Sequence, residues 1–253
     1  MKLLLIGNGR WGKNYIKTIS DIPNIMLDVA DRSNWHDKIN EHPGGVIIAA
    51  SPQSHIEIAD YALSKNIPSM IEKPLSLSLK EAEQLKQYKT PVLVNHIHLF
   101  SDAYQNIKQI IKDKKITQIY SAGIGVNPPR DYSTLWDYAP HDLALILDLL
   151  QEEPQSVSIF KDNWKDIFDI KMTFDGCLTQ SIVGIDYVGK YRSLQVEFDG
   201  MYVGYDDAKR PVDHRPPLLN AVNVFIGAIN GKDDPRLGID LSLKILQILE
   251  HHN

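Results

Sequence analysis

Apolar positions along the first hundred residues fall into two alternating patterns. Short unbroken runs at Leu3–Ile6, Ile25–Ala30, Val46–Ala50, Pro68–Ile71 and Val92–Val94 read as inner strands buried on both faces. Between them come stretches of helical period: Trp11-Tyr15-Ile16-Ile19, a short one over Ser33–Glu41, then Gln53–Lys65 and Leu79–Gln87. Strand and helix alternating through short loops predict a doubly wound parallel sheet. After about His98 the style changes. A helix over Ala103–Lys112 leads to a strand over Ile116–Val126, a Pro-Pro loop, and a helix starting near Asp137. Alternating segments follow at Val157–Lys161, Ile167–Phe174, Leu178–Tyr187 and Ser193–Tyr205, with Asp175-Gly176 marking a hairpin. An amphipathic helix over Leu237–His251 closes the chain. The expected architecture is an α/β Rossmann-type domain over 1–98, and an α+β domain with a mainly antiparallel sheet over 99–253.

The first strand runs into Gly7-Asn8-Gly9-Arg10-Trp11-Gly12, which fits G-x-G-x-x-G. Gly7 allows a tight turn, Gly9 lets backbone approach a pyrophosphate, and Gly12 lets the helix pack close to the strand. Free N–H groups at the helix start then face the anion. Asp31 ends the second strand 19 residues after Gly12, the distance at which an acid meets ribose hydroxyls. A bland alternative is that Asp31 caps the short helix after it. Arg32 could stack on adenine or meet a 2′-phosphate, so NAD is favoured while NADP stays open. Only 14 residues separate Asp31 from Val46, enough for one short helix but not for an extra edge strand. Gly7–Gly12, Asp31, Ser51, Glu72-Lys73 and Asn95 all fall at carboxyl ends of strands, where ligands of such sheets gather.

Composition narrows the class. The chain has 253 residues, 43% hydrophobic and 23% charged, as expected for a globular protein of about two domains. A formal charge of -5 argues against a nucleic-acid or anionic-membrane surface. One cysteine, Cys177, excludes an internal disulfide and suits a reducing, cytoplasmic setting. The N-terminal apolar run is too short for a signal segment, and no run is long enough to span a membrane.

Two further stretches carry chemistry. Lys73, within Glu72-Lys73-Pro74 at a strand end, can donate to a substrate oxygen if partly desolvated; the plain reading is a surface lysine. Asp137 and His141 share one helix face, four residues apart. Asp137 could equally be an N-cap with Pro140 in the first turn, and His141 a satisfied core histidine.

Taken as a set, the glycine loop, Ser51-Pro52-x-x-His55, Glu72-Lys73-Pro74 and Asp137-x-x-x-His141 resemble the glucose–fructose oxidoreductase/inositol dehydrogenase (Gfo/Idh/MocA) family. The resemblance covers about residues 1–150 motif by motif. It implies a nicotinamide enzyme acting on a sugar or cyclitol held between two domains. It maps the family's cofactor loops onto Gly7–Gly12, Asp31, Ser51–His55 and Glu72–Pro74, and its catalytic residues onto Lys73, Asp137 and His141. His141 is then the general base and Lys73 the donor to the same oxygen, with Asp137 holding hydroxyls or orienting His141. Trp136-Asp137-x-Ala139-Pro140-His141-Asp142 is similar to members working on nucleotide-linked sugars. The chain departs from the family in its shortened Asp31–Val46 segment and in Asn95-His96-Ile97-His98, which replaces a stretch often carrying arginine. No metal site is expected, because His96 and His98 lack a third ligand at useful spacing. Two other functions compete: a non-catalytic dinucleotide-binding sensor, and a reductase of a non-sugar carbonyl or imine. The open face expected of the antiparallel sheet suggests a homo-oligomer.

Overall fold

The computed structural model describes residues 1–126, 130–186, 188–206 and 214–250. Its contacts group into two units, residues 1–97 with 214–246, and residues 98–213 with 247–253.

In the first unit β1 (Lys2–Ile6), β2 (Met26–Ala30), β3 (Gly45–Ile48), β4 (Ser69–Glu72) and β5 (Val92–Asn95) form a parallel sheet in the order β2-β1-β3-β4-β5. It is a Rossmann-type sheet. Every residue of β3, β4 and β5 is buried, which explains their unbroken apolar runs. Helices α1 (Arg10–Ile19), α2 (Trp35–Asn40), α3 (Pro52–Ser64) and α4 (Leu79–Glu83) connect the strands, and a 3-10 turn, Gln84–Gln87, extends α4. α2 alone fills the segment between β2 and β3, so β2 stays the sheet edge, as the short spacing requires. Its edge position shows in the exposed Met26.

The second unit opens with a 3-10 turn, Ile97–Phe100, which begins one residue inside the first unit. Then come α5 (Asp102–Ile110), β6 (Ile116–Gly125), α6 (Thr134–Leu150), β7 (Ser156–Lys161), β8 (Asp166–Phe174), β9 (Cys177–Ile185), β10 (Tyr191–Phe198) and β11 (Met201–Asp206). The six strands form one sheet in the order β11-β10-β6-β9-β8-β7. All its pairs are antiparallel except β6 with β9. The sheet is therefore mixed and mainly antiparallel. Asp175-Gly176 makes the expected hairpin, with Phe174 opposite Cys177 and Gly176 at φ +73°.

α6 packs on β6 and β9, and small residues on β6 make this close approach possible. Arg192 of β10 lies opposite Gly123 and reaches over it to the fully buried Asp142, with Nη1 donating to Oδ2 at 3.1 Å. A Cβ on Gly123 would stand 2.6 Å from both Asp142 Oδ2 and Arg192 Nη2. One turn of strand away, Gly125 makes room for the Tyr138 ring. Burial raises the Asp142 carboxyl above the usual carboxylate range, and the Arg192 guanidinium pulls it back.

Several sequence expectations need correction. Ser193–Tyr205 is two strands, because Asp199-Gly200 turns the chain with φ +50° and +74°. α6 starts at Thr134 rather than near Asp137, since the Ser133 hydroxyl accepts from the Leu135 N–H as N-cap. Pro140 therefore sits inside the helix and Asp137 is no cap. A helix unforeseen in the sequence, α7 (Arg215–Ile229), packs on α1, ahead of the closing helix α8 (Asp240–Glu250). Gly45 of β3 explains the fit of α7. A Cβ there would lie 2.6 Å from Ile229 Cδ1 and 3.0 Å from Phe225 Cζ. Gly238 also bridges Leu93. Residues 214–246 thus group with the sheet of the first unit, which a single cut at 98 did not anticipate. The Pro128-Pro129 loop, Tyr187 and His251 lie outside the described residues.

Among the described residues no helix is long and apolar enough to cross a membrane.

The buried ion pair yields a stability prediction. Asp142→Ala leaves the Arg192 guanidinium buried without its carboxylate and is expected to lower stability by about 3–5 kcal/mol. Urea unfolding should show it, and Asp142→Leu with Arg192→Met should recover most of the loss.

Candidate functional site

In the first unit the carboxyl ends of the strands carry most of the residues singled out in the sequence. Gly7 takes φ +104°, and a Cβ on it would lie 2.5 Å from the Ala49 carbonyl oxygen. Its N–H donates to the Ala30 carbonyl at 3.0 Å, which ties the glycine turn to the strand end preceding Asp31. A Cβ on Gly12 would collide with the Gly7 carbonyl. Both glycines are thus required by backbone packing. Gly9 is not, because a Cβ there meets nothing within 4 Å. Its missing side chain has no explanation inside the fold and leaves backbone open to a ligand. Gly9 is also the N-cap of α1, and no side chain caps that helix among the described residues. The N–H groups of its first turn point where an anion would bind at a helix start. Asn8 and Arg10 are exposed, and the Trp11 ring lies 5.8 Å from that of His214, just ahead of α7. These residues fit a pyrophosphate.

Asp31 is exposed, and its Oδ1 accepts from the Ser33 hydroxyl at 2.6 Å and the Ser33 N–H at 2.8 Å. Those bonds hold its carboxyl below the usual value. The bland reading of Asp31 is thus partly realised, since the carboxylate does organise the turn into α2. Arg32 beside it is exposed.

Ser51 is the N-cap of α3, its hydroxyl paired with that of Ser54 at 3.2 Å rather than with a helix N–H, Pro52 opens the helix, and His55 sits in its first turn. The buried His55 ring reaches the Pro74 carbonyl through Nδ1 at 2.9 Å and the Ala50 carbonyl through Nε2 at 3.1 Å. It links the end of β3 to the turn that carries Lys73, whose peptide bond to Pro74 is cis. Burial lowers the His55 pKa to about 4, although both carbonyls favour the cation.

Glu72 faces inward. Its Oε1 accepts from the Tyr15 hydroxyl at 2.7 Å and the Asn95 amide at 2.7 Å, and that amide also donates to the Tyr15 oxygen at 2.8 Å. Burial raises both Glu72 and Tyr15 above their ordinary values. This triangle joins α1, β4 and β5. Lys73, the next residue, is 8% exposed, so the plain surface-lysine reading does not hold.

In the second unit Asp137 and His141 lie one turn apart on α6. Asp137 Oδ2 accepts from Arg130 Nε at 2.9 Å and Oδ1 from the Tyr132 hydroxyl at 3.4 Å. The His141 ring meets the His98 ring edge to face, with centroids 4.9 Å apart. The sequence pairing of His96 with His98 dissolves, because His96 Nε2 instead pairs with the Ser242 hydroxyl at 2.8 Å. Among the described residues no three or more His, Cys, Asp or Glu side chains gather as a metal site.

Sequence reasoning missed Tyr15, Arg130, Tyr132 and Arg192. Tyr15 was visible as a buried helix position, but nothing local says where its hydroxyl goes. Arg130 follows a proline loop and carries no periodic signal.

Comparison with known proteins agrees with this geometry. Residues 26–90 match the model of the GFO_IDH_MocA oxidoreductase family, described by its NAD-binding Rossmann fold. The matched segment is similar to the NAD-binding part of the Gfo/Idh/MocA oxidoreductases. Among relatives, inositol 2-dehydrogenase of Salmonella typhimurium is 26% identical over 147 residues, covering 53% of this chain and 44% of that protein. The match thus spans less than half the length of that relative. GenD2 from gentamicin A biosynthesis, solved with NAD, superposes with a TM-score of 0.89 at 14% identity, over 100% of this chain and 93% of its own. UDP-N-acetylglucosamine 3-dehydrogenase GnnA from Acidithiobacillus ferrooxidans gives 0.85 at 19%, over 99% and 96%. At these identities the two structures establish the fold alone.

The lowered His55 pKa has a sign that can be checked. Between about 6.5 and 4 the unfolded chain binds a proton that the folded one excludes, so stability is lost as pH falls through that window. The loss amounts to roughly 3 kcal/mol. In His55→Gln, unfolding midpoints measured from pH 7 to pH 4 should lose this component of the slope.

Proposed function

We propose that this chain is an NAD-dependent dehydrogenase that moves a hydride to or from a hydroxyl-bearing carbon of a sugar, cyclitol or nucleotide-linked sugar. The observation that carries the reading is the buried Lys73 at a strand end, held from below by the Glu72–Tyr15–Asn95 triangle and from the side by the His55 link to Pro74. A lysine placed so on a nucleotide-binding sheet suits donation to an oxygen that gains charge.

A bound nicotinamide supplies or accepts the hydride, and the protein contributes position and charge. The N–H groups opening α1, with Gly7-Asn8-Gly9-Arg10-Trp11-Gly12 around them, take the pyrophosphate. Asp31 accepts from the adenosine ribose, and its carboxylate disfavours a 2′-phosphate, whereas Arg32 would welcome one. Ser51, Pro52 and His55 line the next strand end, and Glu72, Lys73 and Pro74 the one after. Lys73 donates to the substrate oxygen, and His141 takes the hydroxyl proton, a task suited to an imidazole near neutral pH. Asp137, braced by Arg130 and Tyr132, contacts substrate hydroxyls from the same face of α6.

Residues 99–213 serve as the substrate-binding part and as the surface for a second copy of the chain. Support for the latter is the outer side of the six-stranded sheet, where Leu178 and Tyr202 are 58% and 59% exposed. The free thiol of Cys177 and the absence of a long apolar helix among the described residues suit the cytoplasm.

Fluorescence titration with NADH and NADPH tests the cofactor reading. Saturable NADH binding at least about tenfold tighter than NADPH is expected, roughly 1.4 kcal/mol. Binding of neither would overturn it, and a preference for NADPH would remove the ribose role of Asp31.

Lys73→Met and His141→Ala test the catalytic reading with myo-inositol and UDP-N-acetylglucosamine as trial substrates. Each should lower turnover by about a hundredfold or more while NADH affinity changes only a few-fold. Undiminished turnover in either variant would defeat it.

A further inference from the structure

The structure gives His98 a partner that the sequence did not foresee. Its ring stands edge to face with that of His141, at 75° and 4.9 Å between centroids. Both residues belong to the second unit, 43 positions apart. Their backbones are anchored independently. The carbonyl of His98 accepts from the Ser101 hydroxyl at 3.0 Å and from the Ser101 N–H at 3.2 Å, at the N-cap of α5. His141 is followed directly by Asp142, whose buried pair with Arg192 fastens α6 to the sheet. The two rings therefore meet between fixed elements, and the contact is set by the fold rather than by two mobile side chains.

Plain packing explains the pair poorly. Leu99 and Phe100, which follow His98, are buried almost completely and fill the core, while His98 and His141 are both only half-buried. What an imidazole adds is a choice between two nitrogens. A neutral ring carries one N–H and one lone pair, and a base works only if the bare nitrogen faces the proton it removes. The environment of the other nitrogen and the edge of the ring decide that choice.

We propose that His98 is a positioning residue for His141, fixing the orientation and tautomer in which His141 accepts the substrate proton. This rests on the reading of His141 as the base. It also gives a use to the histidine in Asn95-His96-Ile97-His98 that a metal site does not supply, His96 being committed to Ser242.

The test uses full-length protein, with imidazole nitrogens labelled by 15N, and two variants. His98→Phe keeps a ring of similar shape without nitrogen, and His98→Gln keeps polar atoms without a ring. The His141 ring signals are assigned by their loss in His141→Gln. In wild type they should report one dominant tautomer. In His98→Phe they should shift toward a mixture, with partial retention in His98→Gln. Turnover of myo-inositol with NAD should fall about ten- to a hundredfold in kcat for His98→Phe, with KM and NADH affinity nearly unchanged, and recover in part in His98→Gln.

His141 signals unmoved in either folded variant would overturn the proposal, as would equal kcat values in His98→Phe and wild type. Should wild type itself turn over neither trial substrate, the functional reading fails there, and the nitrogen spectra still decide the His98 contact. Thermal unfolding identifies a variant that fails to fold, in which case the other variant decides.

Discussion

Much of the first unit depends on a triangle of three buried polar side chains. Tyr15, Glu72 and Asn95 come from three separate elements and bond to one another. Burying a carboxyl is unfavourable unless it is hydrogen-bonded, and here two donors converge on one oxygen. The arrangement leaves little freedom. α1 cannot slide along β1 without breaking it, so the glycine turn, the helix start and the residue after Glu72 keep a fixed mutual geometry. The Gly7–Gly12 loop and Lys73 are thereby built on one rigid frame. The His55 ring, joining Ala50 to Pro74, adds a second fixed span.

The second unit solves a related problem with charge. Arg192 and Asp142 are buried together above Gly123, and their approach is tolerated because that strand position lacks a side chain. Pairs of this kind add little net stability, since desolvation offsets their attraction. They are strongly directional, however, and here the direction matters because the residue just before Asp142 on α6 is His141.

How far the sequence reaches follows from how local each cause is. The strand runs, the glycine turn and the hairpin at Asp175-Gly176 are set within a few residues, and they are legible. Gly7 was assigned the tight turn and Gly12 the close packing of helix on strand from pattern alone, and a Cβ at either position would collide with backbone. α7 escaped because its start, Arg215-Pro216-Pro217, resembles a loop, and its apolar positions crowd around the helix rather than forming a clear stripe. Asp199-Gly200 was overlooked inside an alternating run, although it is the same dipeptide that marked the other hairpin. The partners of Asp137, His98 and Glu72 come from distant parts of the chain. Nothing in their local spacing encodes them, so the candidate site was legible as residue types at strand and helix ends but not as bonded sets.

Gly45 and α7 have a consequence for synthesis. The parallel sheet is written in the first 97 residues, yet the helix packed at Gly45 is encoded by residues 215–229, after the whole mixed sheet. A ribosome therefore exposes an unfinished sheet surface while it translates more than a hundred intervening residues. Ile229 and Phe225 close that surface late. The first unit should become resistant to protease only when residues 215–229 have emerged, so its sheet is covered by a segment made after the second unit.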